Sequence, residues 1–141
     1  MRVLGLDVGD RRIGVALSDP LGLTAQRLTV LDRRGIARDI AAVRALVERH
    51  EAKTVVVGLP LTMGGVQGVQ ANKVTAFSDA LRRQITVPVQ LVDERLTTVQ
   101  GTRALLETGA SRGKRKQLID VVADKLILQQ FLDTQGQSAS S

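Results

Sequence analysis

Residues 3–19 read VLGLDVGDRRIGVALSD, and one carboxylate inside this stretch constrains the chain more than any other feature. Val3, Leu4, Leu6 and Val8 surround Asp7 in a run with strand character. An ionised group without a partner in apolar surroundings costs several kcal/mol, so Asp7 needs compensation from elsewhere in the chain or from a ligand. Strand alternation puts Gly5 on the same face as Asp7. The sequence therefore predicts an open face beside the carboxylate, with room for a metal or a phosphate. Residues 9–12 form a short polar connection, and residues 13–17 a second strand antiparallel to the first.

Beyond this hairpin, Asp19, Pro20 and Gly22 mark a turn, and residues 23–31 read as a third, half-exposed edge strand. Ile36, Ile40, Val43 and Val47 then recur at helical spacing across residues 35–49. His50 stands at the end of that helix, where an imidazole can interact with the last carbonyls, and it is given no catalytic role. The β-branched run at residues 54–57 predicts a parallel central strand covered on both faces. A glycine-rich loop follows at residues 61–68, before a helix whose buried stripe is Val74, Phe77, Leu81 and Ile85. The start of that helix could present N–H groups to an anion.

Residues 87–92 are the fifth strand, ending at Asp93, Glu94 and Arg95. Thr97 and Gln100 have capping-box spacing for a short helix to about Glu107, with Gly109 as its stop. Arg112, Lys114, Arg115 and Lys116 form a basic loop, residues 117–132 a final helix, and the Gln/Ser-rich end from Thr134 a frayed tail. The expected architecture is α/β: a mixed five-stranded sheet, an antiparallel meander followed by parallel strands, flanked by helices. One domain over residues 1–133 and a flexible tail over 134–141 are expected.

Composition narrows the partners. The absence of cysteine excludes disulfides and thiolate metal sites, and nothing calls for an oxidising compartment. The first apolar run is short and is interrupted by Asp7 and Asp10, unlike a signal peptide or a membrane span, so a cytoplasmic protein with no membrane partner is expected. Twenty Lys and Arg against 14 Asp and Glu give a formal net charge of +6, which favours a polyanion such as nucleic acid. Phe77 and Phe131 are the only aromatic rings of the Phe, Trp and Tyr type. With so few stacking platforms, recognition through backbone and shape is expected rather than base readout.

In parallel portions of mixed sheets, ligands gather at the carboxyl ends of strands, where Asp7 and Glu94 both fall. Asp120 is the third candidate, because on the final helix it shares a face with Ala123, Ile127 and Phe131. Three converging acids repel unless a cation sits among them, and oxygen donors of this kind suit Mg²⁺ or Mn²⁺. Each acid also has a structural reading. Asp7 could bond the backbone of the Gly9 turn, Glu94 could pair with Arg95 or cap the next helix, and Asp120 is favourable near any helix N-terminus. Asp10 and Asp19 read as turn residues and Asp93 as a strand end. Asp124 reads as helix surface or half of an ion pair, or as an additional ligand one turn beyond Asp120.

The segments LDVGDRRIGVALSD, VVVGLPLTMGG, LVDERLTT and IDVVADKLILQ, in this order, resemble the four signature blocks of the YqgF/RuvX family over nearly the whole chain except its tail. The resemblance implies a ribonuclease-H-like fold and a metal-dependent nuclease. Its substrate would be the 5′ end of precursor 16S rRNA or, alternatively, Holliday junctions in branched DNA. It also implies Asp7, Glu94 and Asp120 as the acidic, metal-holding triad, with Arg112, Lys114, Arg115 and Lys116 bordering the substrate. Arg11 and Arg95 are the further candidates for nucleic-acid contact. Asp124 departs from the family, which usually has a small apolar residue there. The expected chemistry is a two-metal hydrolysis, with ions about 4 Å apart bridged by Asp7. A junction resolvase acting as a symmetric pair would need a homodimer. Two other readings compete: an actin-like or sugar-kinase-type ATPase, whose phosphate loop the first block also resembles, and a non-catalytic nucleic-acid-binding module. The chain is short for the first, which needs two such domains around its nucleotide.

Overall fold

Alternation along the first strand sends Leu4, Leu6 and Val8 to one side and Val3, Gly5 and Asp7 to the other, and each side packs a different set of helices. The computed structural model describes residues 1–96 and 123–139, and side chains as far as residue 135. The strands are β1 (Val3–Val8), β2 (Arg12–Ser18), β3 (Ala25–Asp32), β4 (Thr54–Leu59) and β5 (Val89–Asp93). The helices among the described residues are α1 (Ile36–His50), α2 (Val69–Arg82) and α3 (Ala123–Ala139), with a single 3₁₀ turn at Glu94–Leu96.

The sheet order is β3-β2-β1-β4-β5. β1 pairs antiparallel with β2, and β2 with β3, while β4 runs parallel to both β1 and β5. This is the mixed five-stranded sheet expected of a ribonuclease-H-like fold. Apart from buried Ala25, β3 is exposed or half-buried along its length, as an edge strand should be. β4 is buried along its whole length, as its β-branched run predicts. The fifth strand starts after Pro88, which has no N–H to give; its carbonyl accepts from Val55 N at 2.9 Å.

On one face, Leu4, Leu6, Ile13, Val15, Val55 and Val57 pack under Ile40, Val43 and Val47 of α1 and Val74, Phe77 and Leu81 of α2. On the other, Val3, Ala16 and Val56 pack under Ile127, Leu128 and Leu132 of α3. α3 continues to Ala139, past the end near Leu132 that hydrophobic spacing alone suggests. The expected short helix after Thr97 and its stop at Gly109 lie outside the described residues, as do Asp120 and the basic loop of Arg112, Lys114, Arg115 and Lys116.

Two expectations about the first strand change. Of the apolar neighbours of Asp7 in sequence, Leu4, Leu6 and Val8 face α1 and α2, so its carboxylate is not embedded among them and is only half-buried. Nor does Gly5 open that face to a ligand. A Cβ on Gly5 would stand 2.7 Å from Leu128 Cβ and 3.3 Å from the Asp124 carbonyl, so the missing side chain admits α3 instead.

Candidate active site

Asp7 is the next-to-last residue of β1, and its partner across the antiparallel ladder is Gly14 of β2. On the parallel side Leu6 is paired with Val57, so one step along the same register brings Gly58 beside Asp7. Asp7 is thus flanked by a glycine on each neighbouring strand, and a carboxylate fills the room beside each. A Cβ on Gly58 would stand 2.9 Å from Glu94 Oε1 and would collide with Ile127 Cδ1. A Cβ on Gly14 would stand 3.1 Å from Asp124 Oδ2.

Glu94 follows the last residue of β5 directly, in the 3₁₀ turn, and is 1% exposed. It is separated from Asp7 by 87 positions in sequence, yet the two line one cleft of about 220 Å³ with Gly9, Asp10, Pro60 and Gln70. The cleft lies at the carboxyl ends of β1, β4 and β5, where ligands of parallel sheets collect.

The lip of the cleft is the β1–β2 turn, and three side chains fasten it. Arg33 Nη1 donates to the Gly9 carbonyl at 2.7 Å, while its Nε donates to Asp39 Oδ2 at 2.7 Å. Asp39 is 2% exposed and also accepts from Arg34 N at 2.9 Å, so the buried acid is well compensated. From α2, Gln70 Nε2 donates to the Val8 carbonyl at 3.4 Å and Lys73 Nζ pairs with Asp10 at 3.3 Å. Arg33 also stacks over the Phe77 ring, 5.5 Å from its centroid, which ties this clasp to the core.

The remaining candidates fall at different places. Arg11 is exposed on the lip of the cleft. Arg95 is bound to Asp93, with Nη2–Oδ2 at 2.7 Å, and its Nη1 reaches the Met63 carbonyl at 3.4 Å. Its hydrogen bond and charge hold the Asp93 carboxyl below the usual carboxylate range. Asp19 is a turn residue as expected, accepting from Leu23 N at 2.7 Å and Thr24 N at 2.8 Å. His50 closes α1.

Asp124 is not on the helix surface. It is 1% exposed and belongs to the sheet-facing stripe with Ile127, Leu128 and Leu132. Its Oδ1 accepts from Lys125 N at 2.8 Å, whereas its buried Oδ2 has no hydrogen-bond partner among the described residues. Burial pushes its carboxyl above the usual range and the charge of Asp7 adds to that; the Lys125 N–H and the charge of Arg27 oppose it. The signal in the sequence is its spacing of three, four and eight residues to Ile127, Leu128 and Leu132, which puts it on the buried side.

Residues 1–134 match the family model described as "RuvX: Holliday junction resolvase". A protein of Moorella thermoacetica named "Putative pre-16S rRNA nuclease" is 53% identical over 138 residues, 98% of this chain and 99% of its own. A protein of the same name from Clostridium acetobutylicum is 49% identical over 134 residues, 95% of this chain and 99% of its own. Among solved structures, Thermus thermophilus RuvC in complex with a Holliday junction substrate superposes with a TM-score of 0.58 at 20% identity, over 96% of this chain and 95% of RuvC, a likeness of fold. The four sequence blocks, the mixed sheet with its acids at the strand ends and the match over residues 1–134 have one conclusion: the chain belongs to the YqgF/RuvX family.

Proposed function

We propose that this protein is a metal-dependent nuclease that hydrolyses phosphodiester bonds in structured nucleic acid, and that its substrate is the 5′ end of precursor 16S rRNA. The observation that carries the reading is the cleft shared by Asp7 and Glu94, two carboxylates brought from the first and last strands of the sheet to strand ends on either side of β4. The names of the relatives at 53% and 49% identity point to the ribosomal substrate.

The donors are oxygens only, which suits Mg²⁺ or Mn²⁺. Among the described residues no three acidic, histidine or cysteine side chains are grouped closely enough to hold one ion. In this reading Asp7 and Glu94 hold the metal together with Asp120, which lies outside the described residues. When bound, such ions supply an activated water and stabilise the leaving oxygen. The chain's own residues fix the geometry. The Arg33 clasp holds the Gly9 lip over the cleft, and Gly58 leaves Glu94 the space to lie beside Asp7. Arg11, Arg95 and the basic loop of Arg112, Lys114, Arg115 and Lys116 supply cationic contacts to phosphates, consistent with the net charge of +6.

The description of the matching family model favours a second reading, resolution of Holliday junctions in branched DNA, in which a homodimer would place two clefts on one junction. One assay separates these readings: cleavage of a precursor-rRNA 5′ segment, a four-way junction and a plain duplex, side by side with Mn²⁺ or Mg²⁺. Preferential cleavage of the rRNA segment is expected. Asp7→Asn should abolish cleavage and leave nucleic-acid binding intact. Turnover unchanged in that variant would overturn the site, and tight binding with no cleavage by the wild type would point to a non-catalytic module. Among the described residues no helix is long and apolar enough to cross a membrane.

A further inference from the structure

Asp7 has a carboxylate on each side of it, and the cleft explains only one. Glu94 lies on the β4 side, over Gly58. Asp124 lies on the β2 side, over Gly14, the residue paired with Asp7 across the ladder. Directly opposed residues of antiparallel strands carry their side chains on the same face, with Cβ positions about 5 Å apart. The space above Gly14 that receives Oδ2 of Asp124 is therefore next to the space occupied by the Asp7 side chain.

An acid in that position calls for a reason. Asp124 is 1% exposed, and its buried Oδ2 has no hydrogen-bond donor among the described residues. No basic side chain among the described residues forms an ion pair with it. Helix packing does not require a polar group here, since the other residues of the same stripe, Ile127, Leu128 and Leu132, are apolar and buried. An aliphatic or small side chain would avoid the cost of desolvating a carboxylate, which is several kcal/mol when nothing compensates it.

We propose that Asp124 supplies its Oδ2 to a divalent cation held on the β2 side of Asp7, so that Asp7 is shared between two cation positions, one with Glu94 and one with Asp124. The inference rests on the metal-dependent reading above and deepens it by adding a ligand. Glu94 and Asp124 lie on opposite sides of Asp7, over Gly58 and Gly14, and so serve different positions. Because Asp124 is closed to solvent, the second cation enters past Asp7 from the cleft.

The test is Mn²⁺ binding to the full chain by titration calorimetry, with no nucleic acid present, for the wild type and for Asp124→Asn, Asp124→Ala, Asp7→Asn and Asp133→Asn. Asp133 is exposed on α3, so its variant removes the same charge from the same helix without touching the face of Asp7. Circular dichroism and a thermal melt establish that each variant is folded, and Asp124→Ala serves if the amide is not tolerated. The expected result is two Mn²⁺ per wild-type chain, one of them weakened roughly tenfold or more in both Asp124 variants and unchanged in Asp133→Asn. Wild-type binding in folded Asp124 variants, together with lost binding in Asp7→Asn, would overturn the role of Asp124 and leave the metal-dependent reading standing. An equal loss in Asp133→Asn would reduce the effect to net charge and also overturn it. Undiminished binding in Asp7→Asn would remove the metal reading itself.

Discussion

Asp124 Oδ2 lies 3.1 Å from the point where a Cβ on Gly14 would stand, so the absence of one side chain on β2 makes room for a buried acid on α3. The two residues should be energetically coupled. Gly14→Ala would press a methyl group against Oδ2 and against Asp124 Cβ, 3.4 Å away. A loss of about 1–3 kcal/mol is expected, the usual cost of overpacking a filled site. Adding Asp124→Ala should restore part of it. Urea denaturation of both single variants and the double variant measures the coupling, and strictly additive losses would contradict the contact.

Stability should depend on pH through Asp124. Its folded-state carboxyl is raised above the unfolded value, first by burial and then by the charge of Asp7, with the Lys125 N–H and Arg27 opposing. The folded state therefore holds the proton more tightly than the unfolded chain does. Stability from this group is present below the unfolded pKa of about 3.9 and is lost as pH rises through the raised folded value. Asp124→Asn has no such loss. In metal-free buffer it should be more stable than the wild type at neutral pH, with the difference shrinking as pH falls towards 4; a difference that grows on acidification would refute the shift.

The clasp between Arg33 and Asp39 should be worth more than a surface ion pair. Arg33→Ala would leave Asp39, 2% exposed, with the Arg34 N–H as its one remaining donor among the described residues. A loss of about 3 kcal/mol is expected for breaking a buried pair at one partner. Gly9 would also lose the donor to its carbonyl. Hydrogen exchange should accelerate across the β1–β2 turn more than across β4, which is buried and bonded on both sides.

Gly58 should be needed for activity beyond its effect on stability. A methyl group there would collide with Ile127 Cδ1 and come within 2.9 Å of Glu94 Oε1. Displacing that carboxylate by about 1 Å should lower turnover on the order of 100-fold in Gly58→Ala. Cleavage assays at a temperature where the variant is folded separate this from unfolding. A variant with wild-type turnover would show that Glu94 does not act from its present position.

Much of this was legible in the sequence, and for identifiable reasons. Period-two runs at Val3–Val8 and Arg12–Ser18, the β-branched run at residues 54–57 and the helical stripe of Ile40, Val43 and Val47 each specify an element and its buried side from local chemistry. Strand ends mark where ligands collect, so Asp7 and Glu94 could be paired as candidates before any contact was known. What local pattern does not carry is the identity of the element lying opposite. That α3 and not a ligand occupies the space beside Gly5, that Arg33 reaches back to the Gly9 carbonyl, and that Asp124 is buried against Gly14 are outcomes of packing between segments far apart in the chain. Alternation tells each residue which way to face; only the assembled sheet and helices decide what it meets there.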